Sequence, residues 1–296
     1  MISPSLSADS PYHVVRELEP DGHGGQVETT AIFLTASRCP IGCSMCDLHR
    51  FTLDESTPVG AIPRQIRRGL NGSSHGAAED PSRRSSDGCS RGGWVKLYNS
   101  GNFFDPQSIP PADYGEIAKL CGEFERVIVE NHPRFGGERL KRFKEELKQP
   151  LEVAVGLETV QPRWLARMKK QMTRDQFDRY AAQLNQLRID LRVFLIVGVP
   201  GVEIKEAMQW ARLSLRHAIR AGARHVSMIP ARRGNGWGPA AGPLPNFSLD
   251  DWLDFQAMVI ADAGGRTAVT LDLWEMAAED PRVDRLRQVN LTQRPV

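Results

Sequence analysis

The sequence predicts an α/β protein: a partial (β/α)6 barrel with a small C-terminal α/β extension. Three observations predict it. Apolar, β-branched runs such as Val127-Ile128-Val129 alternate with amphipathic or charged stretches long enough for helices, the pattern of βαβ units on a parallel sheet. The runs are continuous rather than alternating, as in strands covered on both faces. Polar or glycine residues follow directly on the ends of the runs. The alternation alone suits an open doubly wound sheet equally well.

Taken in order, residues 1–28 read as a loose lead-in, glycine-rich at Gly22, Gly24 and Gly25. Residues 29–35 form a buried strand, and a cysteine-bearing loop follows it. Residues 62–70 are an amphipathic helix with Ile62, Ile66 and Leu70 on its apolar side and Pro63 in its first turn, where a missing N–H costs little. Residues 71–93 hold Gly, Ser, Asp and Arg with almost no large apolar side chain. They cannot offset the entropy of ordering, so a mobile insert is expected there, with Cys89 in it. Strands at 94–98, 126–129, 151–157, 191–197 and 225–229 then alternate with helices at 112–124, 137–148, 164–168, 174–187 and 204–221. With 29–35 that makes six strands, and a core of 29–230.

The extension, 231–296, begins with a loop at 232–247. Ser248 caps a helix running to about 262, with Asp250 and Asp251 in its first turn. Residues 267–274 alternate like an edge strand, and 280–296 read as a surface tail.

The 296 residues are 41% hydrophobic and 25% charged, enough for a sizeable core, and the net charge of +2 implies no strong affinity for nucleic acid or membrane. The longest apolar run, 193–199, is too short to cross a bilayer. No basic and apolar leader is visible at the N-terminus, so a cytoplasmic location is expected. Three of five cysteines are clustered, which argues a metal site in a reduced protein rather than a disulfide framework.

That cluster is Arg38-Cys39-Pro40-Ile41-Gly42-Cys43-Ser44-Met45-Cys46, with spacing C-x3-C-x2-C. Thiolates are soft ligands that select iron–sulfur clusters, zinc or copper(I). Three of them cannot complete a cubane of four irons, so one iron would stay open to another ligand. His49, three residues after Cys46, gives the alternative: Cys39, Cys43, Cys46 and His49 as a Cys3His zinc site in a structural or interaction module.

The C-x3-C-x2-C loop after a first strand, heading a βα series from about residue 29 to 230, resembles the radical S-adenosylmethionine (radical SAM) superfamily. The resemblance implies a TIM-like barrel whose Cys39, Cys43 and Cys46 hold a 4Fe–4S cluster, with S-adenosylmethionine on the open iron. One electron, from a donor of flavodoxin or ferredoxin type, then cleaves the sulfonium to methionine and a 5′-deoxyadenosyl radical that abstracts hydrogen from substrate. Met45 stands where the family often carries an aromatic residue and would pack on adenine. Ser100, Gly101 and Asn102, in Asn99-Ser100-Gly101-Asn102, fall where the cofactor amino group is received, although the usual terminal Glu is missing. Glu130-Asn131-His132-Pro133 is similar to the Glu-x-Arg-Pro of tRNA methylthiotransferases and the elongator acetyltransferase, with His132 in place of Arg. Glu158 falls at the ribose position, Lys170 at the carboxylate position, and Gly198, in Gly198-Val199-Pro200-Gly201, beside adenine. A further likeness, to the archaeosine-forming radical SAM subunit, implies a tRNA nucleoside as substrate and a partner subunit; a small molecule or peptide is the alternative.

Each residue also has a plainer reading. Glu130 and Glu158 suit solvated or ion-paired carboxylates, and Lys170 a helix-surface lysine. Arg212, Arg216, Arg220 and Arg224 recur every four residues, which invites RNA phosphate but suits an outer face of a barrel helix better. Arg232, Arg233 and Trp237, after the sixth strand, are the stronger candidates for substrate contact.

Overall fold

Among the described residues eight strands make the sheet: the six of the expected core, the expected edge strand near 267–274, and one more in the lead-in. The computed structural model describes residues 6–72, 92–234, 236–237, 241–274 and 276–295; Cys89 and most of the 71–93 insert lie outside them. The first half of the chain contains β1 (His13–Pro20), β2 (Gln26–Phe33), α1 (Ala61–Leu70), β3 (Trp94–Tyr98), α2 (Tyr114–Leu120), β4 (Arg126–Glu130) and α3 (Glu138–Glu146). The second contains β5 (Leu151–Glu158), α4 (Pro162–Arg167), α5 (Arg174–Gln186), β6 (Asp190–Val197), α6 (Ile204–Arg220), β7 (Ala223–Pro230), α7 (Leu249–Ala263), β8 (Ala268–Leu271) and α8 (Pro281–Thr292). The strands lie side by side in chain order, β1 to β8. Pairing is parallel for β2 with β3, β3 with β4, β6 with β7 and β7 with β8. This is the TIM-like α/β class that the sequence predicts.

Two compact units divide the chain. The first comprises Met1–Glu17, Glu28–Pro40 and Leu48–Val153. Its helices pack through an aromatic knot in which the Phe103 and Phe143 rings lie 4.8 Å apart and Tyr114 meets Phe143 at 5.3 Å. Gly69 lets α1 press on Ile32 of β2: a Cβ there would fall 3.1 Å from the Ile32 Cγ2. The second unit comprises Leu18–Val27, Ile41–Asp47 and Ala154–Val296. Val193, Leu195, Leu215, Val226 and Phe255 lie in its interior.

The expectations for the chain ends need correction. The lead-in contains β1, whose charged residues conceal it from a search for apolar runs. Within the first unit Glu17 pairs with Lys96 of β3 at 2.7 Å. Within the second, Glu19 forms a bidentate pair with the buried Arg192 of β6, at 2.9 and 3.0 Å. The 280–296 stretch is not a surface tail: α8 buries Val283, Leu286 and Val289. It also covers the outer edge of β8. Asn290 accepts the Leu271 N–H at 2.7 Å and donates to its carbonyl at 2.8 Å. Gln293 does the same for Val269, at 2.7 and 2.9 Å. Two side-chain amides thus stand in for a ninth strand.

Two arginines of the series, Arg212 and Arg216 of α6, pair with a neighbouring helix, while Arg220 is exposed. Arg212 donates to Asp262 of α7 at 2.6 and 3.1 Å, and Arg216 at 2.9 Å. Arg224 reaches the Asp21 carbonyl at 3.3 Å.

Candidate functional site

In the first unit the site grows from the loop after β3. Glu130, at the end of β4, gathers that loop: its Oε1 accepts the N–H of Asn99 at 2.7 Å and of Gly101 at 3.1 Å. Such charge-assisted bonds to backbone are among the stronger ones in a protein. Ser100 is held at φ 55°, in the left-handed region, and its Oγ lies 2.9 Å from the Tyr12 hydroxyl. A Cβ on Gly101 would sit 3.4 Å from the Cβ of Cys39, so the loop lies against the first cysteine. Asn102 completes that contact. Its Oδ1 accepts the His132 N–H at 2.8 Å, and its Nδ2 donates to Cys39 Sγ at 3.2 Å. A backbone N–H can only donate, so the amide orientation follows. Asn99 donates to Ser108 Oγ at 2.7 Å, while its buried Oδ1 has no hydrogen-bond partner among the described residues. Leaving such an acceptor unmet costs about 1–3 kcal/mol, which a bound donor would recover.

In the second unit, residues 41–47 carry the other two cysteines. Their backbone is tied down on two sides. Ser44 donates its N–H to the Met168 carbonyl and its hydroxyl to that of Arg167, both at 2.8 Å. Gln171 donates to the Ile41 carbonyl at 2.8 Å. From the loop after β7, the Gly236 N–H donates to the Ser44 carbonyl at 2.7 Å. A Cβ on Gly234 would fall 2.1 Å from the Met45 carbonyl group, so only glycine fits. Met45 packs against a buried cluster of Trp164, Met168, Val199 and Trp237. Trp237, expected to meet substrate, is therefore a core residue, 4% exposed.

Glu158 and Lys170 meet in the same unit as a buried ion pair at 2.6 Å. Lys170 is thus not on a helix surface. The pair lies over Gly156, where a Cβ would fall 2.1 Å from the Glu158 carboxylate and 2.6 Å from Lys170 Nζ. Glu158 has φ 63°, and the two neighbours of Lys170, Lys169 and Gln171, have φ 51° and 53°. With Ser100, these make four of the six non-glycine residues at positive φ among the described residues, and such strain gathers at functional sites. Gly198, at φ 100°, ends β6 where a Cβ would strike Pro245 at 2.6 Å.

The structure therefore joins Cys39, Asn99, Gly101, Asn102 and Glu130 into one network, and Glu158 with Lys170 into another. Gly156, Gly234 and Gly236 are contributors that the sequence reading assigns no role; the run Gly234-Asn235-Gly236-Trp237 is the signal available for the last two. Among the described residues no three His, Cys, Asp or Glu side chains stand gathered as a metal-ligand group. The donor set still suits an iron–sulfur cluster: three soft thiols within eight residues, an amide N–H aimed at one sulfur, and Gly42 turning the loop at φ 65°.

Solved structures share the fold over most of this chain, at the level of fold that the resemblance read from the cysteine loop implies. Streptococcus suis SuiB, solved with S-adenosylmethionine bound, is similar with a TM-score of 0.53 and 12% identity, over 80% of this chain and 48% of SuiB. Methylornithine synthase (PylB) is similar with a TM-score of 0.52 and 12% identity, over 88% of this chain and 81% of that one. An uncharacterised protein of Methanocaldococcus jannaschii is 26% identical over 142 residues, which cover 46% of this chain and 39% of that protein. The chain thus spans less than half the length of SuiB and of the archaeal relative. No family model matches it.

Proposed function

We propose that the protein is a radical SAM enzyme, with Cys39, Cys43 and Cys46 holding a 4Fe–4S cluster. The observation that carries this reading is the seat of Cys39, where Asn102 offers an N–H to the sulfur at 3.2 Å beside the strained loop 99–102. Cys39, Cys43 and Cys46 would hold the cluster, which would supply the one electron needed for reductive cleavage of S-adenosylmethionine to methionine and a hydrogen-abstracting 5′-deoxyadenosyl radical. The chain's own residues bind and orient. Asn99 Oδ1 supplies the acceptor for an ammonium group. Glu130 holds that loop in shape. Glu158 offers its carboxylate to ribose hydroxyls, and Lys170, placed by Glu158, offers its ammonium charge to a carboxylate. Met45 and its apolar cluster exclude water from one side of the loop.

Cluster-loaded protein, mixed anaerobically with S-adenosylmethionine and dithionite, should release 5′-deoxyadenosine, and Cys43→Ala should release none. Equal behaviour of the two sinks the proposal. A donor of flavodoxin or ferredoxin type would replace dithionite in the cell. The tRNA nucleoside implied by the subfamily likeness is tested by a gel shift with tRNA across salt concentrations. One observation favours the zinc alternative: His49 Nδ1 is buried and has no hydrogen-bond partner among the described residues. Metal analysis decides, because a 4Fe–4S protein is brown and contains iron and sulfide, whereas a zinc protein is colourless.

A further inference from the structure

Past the C-terminal ends of β7 and β8, within the second unit, lies a cavity of about 340 Å³. That is the small end of the range for ligand pockets, enough for one or two fused rings with a short arm. Its walls are aromatic. Phe247 and Trp252 stack at 4.1 Å with their planes 16° apart. Trp274 is 54% exposed, an unusual state for so large an apolar surface. Arg232 holds its guanidinium 5.8 Å from the Trp274 ring centroid. No carboxylate lies within ion-pair distance of Arg232 among the described residues, and the side chain is half-buried. Asp272 lines the same cavity, and its Oδ1 accepts the Trp274 N–H at 2.9 Å, which fixes the turn that carries the indole. One wall, Ala231, also packs against the buried cluster of Trp164, Met168, Val199 and Trp237, as Met45 of the cysteine loop does.

We propose that this cavity binds a planar N–H-bearing heteroaromatic ring that carries an anionic arm. The ring lies on the Trp274 face, which attracts flat π-systems, and its N–H meets the Asp272 carboxylate. The arm meets Arg232, whose planar fork suits a carboxylate or phosphate. That such a molecule is the enzyme's substrate rests on the function proposed above; that the cavity binds it does not.

Equilibrium dialysis on the cluster-loaded full chain tests the idea with four probes: guanosine 5′-monophosphate, indole-3-acetate, guanosine and inorganic phosphate. At least one of the first two should saturate, and which one does separates a nucleotide source from an aromatic acid. Guanosine should bind at least about tenfold more weakly than its monophosphate if the nucleotide is the ligand, and phosphate alone should not saturate. Arg232→Met should weaken the preferred probe by about tenfold or more, and Trp274→Ala, at an exposed position, should weaken it as well. The inference is overturned if neither ring-bearing anion saturates, if phosphate alone binds as well as they do, or if both variants bind like the parent. Failure here with intact 5′-deoxyadenosine release removes only the cavity's role. Binding without that release leaves the cavity and removes the proposed reaction.

Discussion

Lys170 and Glu158 show how a residue can be placed by its partner. Buried ion pairs tolerate loss of both members better than loss of one, because the survivor is left as an uncompensated charge. Lys170→Met should destabilise the protein by about 3 kcal/mol, and adding Glu158→Gln should recover part of that, as read from urea midpoints. Asn102 gives a second prediction at this scale. A hydrogen bond to a cluster sulfur stabilises the reduced, more negative state. Asn102→Ala should therefore lower the midpoint potential of the reconstituted cluster in an EPR redox titration; an unmoved potential would show that the contact to Cys39 does not tune it. The cysteine spacing was legible in the sequence because ligand spacing is local. The partner of Lys170 was not, since twelve residues and a helix separate it from Glu158. Nor was the use of Glu130, whose two bonds go to backbone on the neighbouring strand's loop.

At the scale of the element, β8 was legible as an edge strand and α8 was not legible as its cover. The buried residues of α8 are Val283, Leu286 and Val289, and its cover of β8 is carried by Asn290 and the following Gln293, which look like ordinary surface amides in a sequence. An open strand edge invites pairing with another chain. Asn290→Ala should cost about 1–3 kcal/mol through the unmet Leu271 backbone groups and should promote self-association, seen by light scattering. The junction of α6 and α7 sets a pH response. Burial alone would raise the Asp262 carboxyl, but hydrogen bonds from Arg212 and Arg216 hold it below its ordinary value. Stability from this group is therefore full above the usual carboxylate range and is lost as pH falls through the depressed value. Asp262→Asn should flatten the acid side of a urea-midpoint profile between about pH 5 and pH 3.

For the whole molecule, the α/β alternation carried the fold class because parallel strands announce themselves as continuous apolar runs. β1 escaped because charged residues interrupt its apolar ones, and one of them, Glu19, is buried in an ion pair with Arg192. Arg192 is 1% exposed and Glu19 is 8% exposed. Removal of residues 1–20 should take the Glu19 carboxylate away from the buried Arg192 and cost about 3–5 kcal/mol, measured as a loss of soluble, cooperatively unfolding protein.

The Glu19–Arg192 pair also has a consequence in time. Its partners stand 173 residues apart in the chain. At about 5–20 residues per second of synthesis, the ribosome delivers Arg192 roughly ten to thirty-five seconds after Glu19. Through that interval the end of β1 waits without its Arg192 partner. Nascent chains stalled before residue 192 should leave residues 18–27 open to protease, and chains released after β6 has emerged should protect them. The end of the first strand made waits for the sixth.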